Sequence, residues 1–157
     1  MQPHEVRLTL AAAAWRTIAH EIAATDDGLE TGGILLGHDN NGKVRITVAG
    51  APGPSAVREP MRFLRDLDFS QRLADRAWRT DQSQWLGEWH SHPTSVPVPS
   101  SVDLGSYAKH LSDAELSFGR FISIIVGVVA QRSAVAAWVV TPDAALLVPF
   151  DIEEDHD

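Results

Sequence analysis

Two histidines one residue apart, His90 and His92, lie in the run Gly87-Glu88-Trp89-His90-Ser91-His92-Pro93. On a β-strand, residues i and i+2 point to the same face, with Cα atoms about 6.6 Å apart at about 3.3 Å rise per residue, so both imidazoles can converge on one ion. Asp103 offers a third ligand if the loop through Pro93, Pro97 and Pro99 brings it back. Two histidines and one carboxylate leave a fourth position open, which is how catalytic zinc sites differ from structural sites closed by four protein ligands. Each part also has a plainer reading. A His-x-His pair alone is compatible with two surface histidines. Ser100-Ser101-Val102-Asp103, ahead of an apolar helical run, also reads as a helix N-cap. Capping and chemistry are compatible, because Ser100 has more than one group to offer. Glu88 shares a face with His90 and His92 on an uninterrupted strand. That makes it a candidate for proton transfer, for orienting His90, or for the rim of a site.

His90-Ser91-His92-Pro93, followed after six further residues by Ser100-Ser101-Val102-Asp103, stands downstream of Glu30-Thr31-Gly32-Gly33-Ile34-Leu35-Leu36-Gly37. In this order the motifs resemble the metal-binding signature of the JAMM (JAB/MPN metalloprotease) family, in a compact bacterial-type form, from about Leu8 to Phe150. The resemblance implies that His90, His92 and Asp103 hold Zn2+, that Glu30 moves the proton, and that Ser100 donates a hydrogen bond to the oxyanion. It favours Glu30 over Glu88 for that role. It further implies a zinc isopeptidase or peptidase that hydrolyses the bond after the C-terminal tail of a ubiquitin-like protein, or of a similarly conjugated protein. Activating and conjugating enzymes encoded nearby are the partners such a role implies. The chain leaves little room for the insertions by which larger relatives grip two ubiquitins. Other readings are a metal-free interaction module of the same fold and a more general zinc peptidase. A zinc nucleobase deaminase would need cysteine ligands, and the chain has none.

The surrounding elements must present those residues. With 157 residues, 44% of them hydrophobic, the chain is expected to form one domain with an ample core, residues 1–150, and a short tail. A net charge of -8 argues against a nucleic-acid binder. No apolar stretch approaches the length of about 20 residues that spans a bilayer, and Arg16 and His20 interrupt the one apolar run near the start. The absence of cysteine excludes disulfides and is compatible with the cytoplasm.

Residues 6–10 read as a strand and 11–24 as a helix with Trp15, Ile18 and Ile22 on one face. His20-Glu21 starts a zincin motif, but Ala24 stands where its second histidine is required. A strand over 31–36 turns through Asp39-Asn40-Asn41-Gly42 into a strand over 43–49. A helix over 67–79 buries Phe69, Leu73 and Ala77, and the arginines Arg65, Arg72, Arg76 and Arg79 sit among aspartates on a solvated face. Residues 85–92 form the ligand-bearing strand, which the prolines end. A helix after Ser100 is expected to turn Leu104, Tyr107 and Leu111 inwards. Residues 121–129 suit a fully buried strand, and 134–140 and 145–150 complete the sheet. The fold class is therefore α/β, a single domain with a mixed β-sheet flanked by helices. The family resemblance makes the sheet curved and the architecture similar to the cytidine deaminases. The tail 151–157, with five acidic residues in seven, is expected to be disordered. His4, His20, His38, His110 and His156 read as ordinary histidines. The loops at 52–60 and 94–99 are candidate groove walls, with Trp89 either an apolar contact or core.

Overall fold

A computed structural model describes residues 5–155. The elements run β1 (Arg7–Leu10), α1 (Ala12–Ala24), β2 (Gly32–Asn40), β3 (Lys43–Ala49), β4 (Val57–Glu59), β5 (Arg62–Leu64), α2 (Leu67–Asp81), β6 (Gln84–Ser91), α3 (Ser101–Ser112), β7 (Phe121–Val129), β8 (Arg132–Val140), β9 (Ala145–Val148) and β10 (Phe150–Ile152). Asn41 and Gly42 take φ of 52° and 90° between β2 and β3, the paired positive angles that a two-residue hairpin requires. Gly87 lets β6 lie tight against β7, since a Cβ there would stand 1.8 Å from the Ile122 carbonyl oxygen.

Eight strands form one sheet in the order β10-β1-β3-β2-β6-β7-β8-β9. The pairs β1–β3, β1–β10 and β6–β7 are parallel and the others antiparallel. The two outermost strands, β9 and β10, are consecutive in sequence and separated only by Pro149. The sheet must therefore curl until its two ends nearly meet.

Alternation along the strands sorts side chains onto two faces. One face buries Leu8, Leu35, Ile46, Trp89 and Ile124 in a cluster with Ala14 and Ile18 of α1. The other packs Ile34 and Leu36 with Ala77 of α2, and Phe121 and Val140 with Tyr107 of α3. Asp66 caps α2 by accepting from the Phe69 amide at 3.0 Å. No helix among the described residues is long and apolar enough to cross a membrane.

Three expectations are corrected. Asp151 and Ile152 are not disordered but pair along β1 opposite Thr9 and Leu10. Glu153 takes the Arg45 guanidinium at 2.6 and 2.9 Å, and Asp155 pairs with Arg16. The acidic tail is thus held by two arginines and a backbone ladder; residues 156–157, with His156, and residues 1–4, with His4, lie outside the described residues. Leu104 is 40% exposed, and the inner face of α3 is carried by Tyr107 and Leu111. The short β4–β5 hairpin lies in a stretch read as loop.

Candidate metal centre

His90 and His92 project from the end of β6 and are 4% and 6% exposed. His90 sits opposite Gly32 in the β2–β6 register. A Cβ at Gly32 would come within 2.3 Å of the Trp89 carbonyl oxygen and 2.9 Å of His90 Cβ, so only glycine lets β2 approach the ligand strand this closely. The His92 Nδ1 lies 2.9 Å from the Val96 carbonyl oxygen. A carbonyl only accepts, so Nδ1 carries a proton, and Nε2 is the nitrogen turned to the site, whose lone pair becomes available to a cation once its own proton is lost.

Asp103 arrives from the first turn of α3 through a capping box. The Ser100 hydroxyl accepts from the Asp103 amide at 3.1 Å, and the Ser100 amide donates to Asp103 Oδ2 at 2.8 Å. The same Oδ2 lies 3.2 Å from both His90 Nε2 and His92 Nε2, which are 3.1 Å apart. Three donor atoms at this spacing match one face of a tetrahedron, whose edge is about 3.3 Å for ligand bonds of about 2.0 Å. Burial alone would raise the Asp103 carboxyl. Hydrogen bonds from His90 and His92, their charge, and the Ser100 amide outweigh it and hold Asp103 well below the ordinary carboxylate range. Burial alone would lower His92, and its bond to Asp103 reverses that, leaving it above the usual histidine value.

Glu30 completes the group. It is 4% exposed, and its ligand-capable oxygen and those of the other three residues all lie within 4.8 Å of one another. Burial raises its pKa, partly offset by His90 and His92. Its Oε1 is buried with no hydrogen-bond partner among the described residues. A buried polar atom left unpaired costs about 1–3 kcal/mol, and two facing imidazole nitrogens beside a carboxylate call for a cation between them. The residues present therefore fit a metal ion and a water. Glu30, His90, Asp103, Glu88, Phe63 and Val102 border a cavity of about 40 Å³, room for an ion with a water or two.

Glu88 shares that cavity but is committed elsewhere. Arg65 Nη1 donates to Glu88 Oε1 at 2.8 Å and to His110 Nε2 at 3.1 Å, while its guanidinium stacks 4.6 Å from the Trp85 ring centroid. Arg65 thus leaves the solvated arginine face expected for it, and His110 is a structural acceptor. Trp89 is core, fully buried, with Nε1 donating to the Gly50 carbonyl at 2.8 Å. The same cavity is bordered by Arg62, Phe63 and Leu64 of β5; no residue of 52–60 or 94–99 borders it. Thr94 lines a separate cavity with His92 and Pro93. Arg65 is a partner of the site that the sequence conceals, since it belongs to no motif.

The sequence matches the prokaryotic homologs of the JAB domain over residues 12–141. It is 30% identical over 115 residues to a CD-NTase/cGAS isopeptidase of Pseudomonas aeruginosa, covering 71% of each chain. A CD-NTase/cGAS isopeptidase of Escherichia coli is 31% identical over 100 residues, and the chain spans 62% of that relative's length. A desampylase of Haloferax volcanii is 36% identical over 101 residues, covering 62% of this chain and 70% of that one. The solution structure of a Desulfitobacterium hafniense protein shares the fold at a TM-score of 0.69 and 20% identity, covering 94% of both chains.

Proposed function

The chain belongs to the prokaryotic JAB-domain family, and from that premise we propose that it is a zinc-dependent isopeptidase. It hydrolyses the bond after the C-terminal tail of a ubiquitin-like protein or a similarly conjugated protein. The observation that carries this reading is the convergence of His90, His92 and Asp103 beside the unpaired Glu30 Oε1. The relatives named isopeptidase and desampylase support the substrate class. Two imidazoles and a carboxylate suit zinc among divalent ions. Bound there, zinc supplies Lewis acidity and brings the pKa of water towards about 7.

The protein's own groups do the rest. Glu30 takes the proton of the attacking water and later returns it to the departing amine, a duty its upward-shifted pKa suits. Ser100 uses its hydroxyl lone pair for the Asp103 amide, so its O–H remains free to donate to the oxygen of the tetrahedral intermediate. Glu88 holds Arg65 and takes no part in proton transfer. Tails rich in glycine suit a cavity this small, because they let the scissile carbonyl come close. The protein acts in the cytoplasm, in company with the enzymes that form the conjugate.

The test is a pair of isosteric substitutions assayed on a ubiquitin-like fusion. Glu30→Gln is expected to retain metal and substrate binding and lose about 100-fold or more in turnover, whereas Glu88→Gln loses far less. An inactive Glu88→Gln beside an active Glu30→Gln would reverse the assignment.

A further inference from the structure

Glu30 precedes β2 at the end of a loop, and its main chain is gripped by a different element. The Glu30 amide donates to the Glu59 carbonyl of β4 at 2.8 Å. Arg58, also on β4, donates from Nε to the Glu30 carbonyl at 3.1 Å. The guanidinium then forks onto Asp27 at 2.9 and 3.0 Å and reaches the Leu29 carbonyl at 3.5 Å. One arginine therefore spans the whole approach to Glu30. On the other side, the Thr31 amide is fixed by Ser91 Oγ at 2.9 Å, and the Thr31 carbonyl accepts from the Ser91 amide at 2.8 Å. Ser91 lies between the two histidine ligands. Glu30 is thus held between the ligand strand and the β4–β5 hairpin, and β5 of that hairpin borders the same cavity through Arg62, Phe63 and Leu64.

We propose that Arg58 is a positioning residue for the proton-transfer step, which fixes the Glu30 carboxylate against the hairpin over which substrate lies. This rests on Glu30 being the base. Planarity is what makes arginine fit: its Nε–H serves the carbonyl while both terminal nitrogens serve one carboxylate, a geometry that a lysine ammonium cannot reproduce. As an ion pair, Arg58 and Asp27 add little to folding: their side chains are 26% and 46% exposed, and exposed pairs contribute little. Placement of a base tolerates much less error, since a misplacement of about 1 Å costs up to about 100-fold in rate.

The experiment compares Arg58→Ala, Arg58→Lys and Glu30→Gln, with Arg72→Ala as a control that loses an exposed charge on α2. Steady-state kinetics on a ubiquitin-like fusion are read beside metal content, Tm and hydrogen exchange of the Glu30 amide in the metal-free protein. Arg58→Ala is expected to lower kcat about 10- to 100-fold. KM should stay within about twofold, metal content should be unchanged, and the Glu30 amide should exchange faster. Arg58→Lys restores little of the rate, and Arg72→Ala changes nothing. An unchanged kcat in Arg58→Ala beside an inactive Glu30→Gln overturns the clamp and leaves the base intact. An active Glu30→Gln overturns both. If Arg58→Ala does not fold, Asp27→Asn at the exposed end of the fork is read instead. A lower kcat with constant KM supports the clamp, and an unchanged kcat overturns it.

Discussion

Ser100 caps α3 and is proposed to serve the oxyanion as well, and the two duties can be separated. Its oxygen caps α3 and so holds Asp103 in place, while its proton is free for the substrate. Ser100→Ala removes both and should lower stability by about 0.5–2 kcal/mol. Ser100→Gly is more informative, because glycine at an N-cap costs only a few tenths of a kcal/mol. With glycine, the fold and the metal should stay while turnover drops about 100-fold or more, as when one oxyanion donor is lost. Unchanged turnover in Ser100→Gly would leave Ser100 as a cap and nothing more. At this scale the sequence was highly legible where motifs are local. His90 and His92 converge as strand periodicity implies, and Asp103 joins them in the set that the family resemblance implies. Glu30 was reached only by family resemblance, since sixty residues of chain separate it from His90. Glu88 shows the limit of periodicity: it shares the face of His90, but its partner Arg65 comes from elsewhere in the fold and no pattern along the strand announces it.

At the scale of elements, the centre depends on β2 lying unusually close to β6. Gly32 is the position that allows it, and Gly32→Ala should push β6 and His90 outwards, because the added carbon meets backbone and not a flexible side-chain end. The expected result is metal affinity about 10- to 100-fold weaker in a protein that still folds, measured by competition with a chelator. Undiminished affinity would mean that the strands can separate without moving the ligand. The long strands and three helices were legible because hydrophobic alternation, the Asn41-Gly42 turn and the caps at Asp66 and Ser100 agree with one another. The β4–β5 hairpin was not. Its strands have three residues each, too short for alternation to register, and Met61 and Leu64 are exposed. Yet this hairpin carries Arg58 and borders the cavity.

For the molecule as a whole, closure of the curled sheet depends on Pro149 and β10. The acidic composition of residues 151–157 suggested disorder because it says nothing of Arg45 and Arg16, which lie more than one hundred residues earlier and receive it. Removing residues 149–157 takes away the β1–β10 ladder, the Arg45–Glu153 pair and the packing of Phe150 on the core. Tm should then drop by about 5–10 °C; an unchanged Tm would make the closure incidental. One metal ion, held by His90, His92 and Asp103, is proposed to make this domain hydrolyse the bond after a ubiquitin-like tail. The most direct test titrates metal-free protein with zinc while following cleavage of a ubiquitin-like fusion. Cleavage is expected to be absent without metal and to rise to a plateau at about one equivalent of zinc, with His90→Ala inactive throughout. Full cleavage by metal-free protein, or one bound zinc with no cleavage of any conjugated or fused tail, would contradict it.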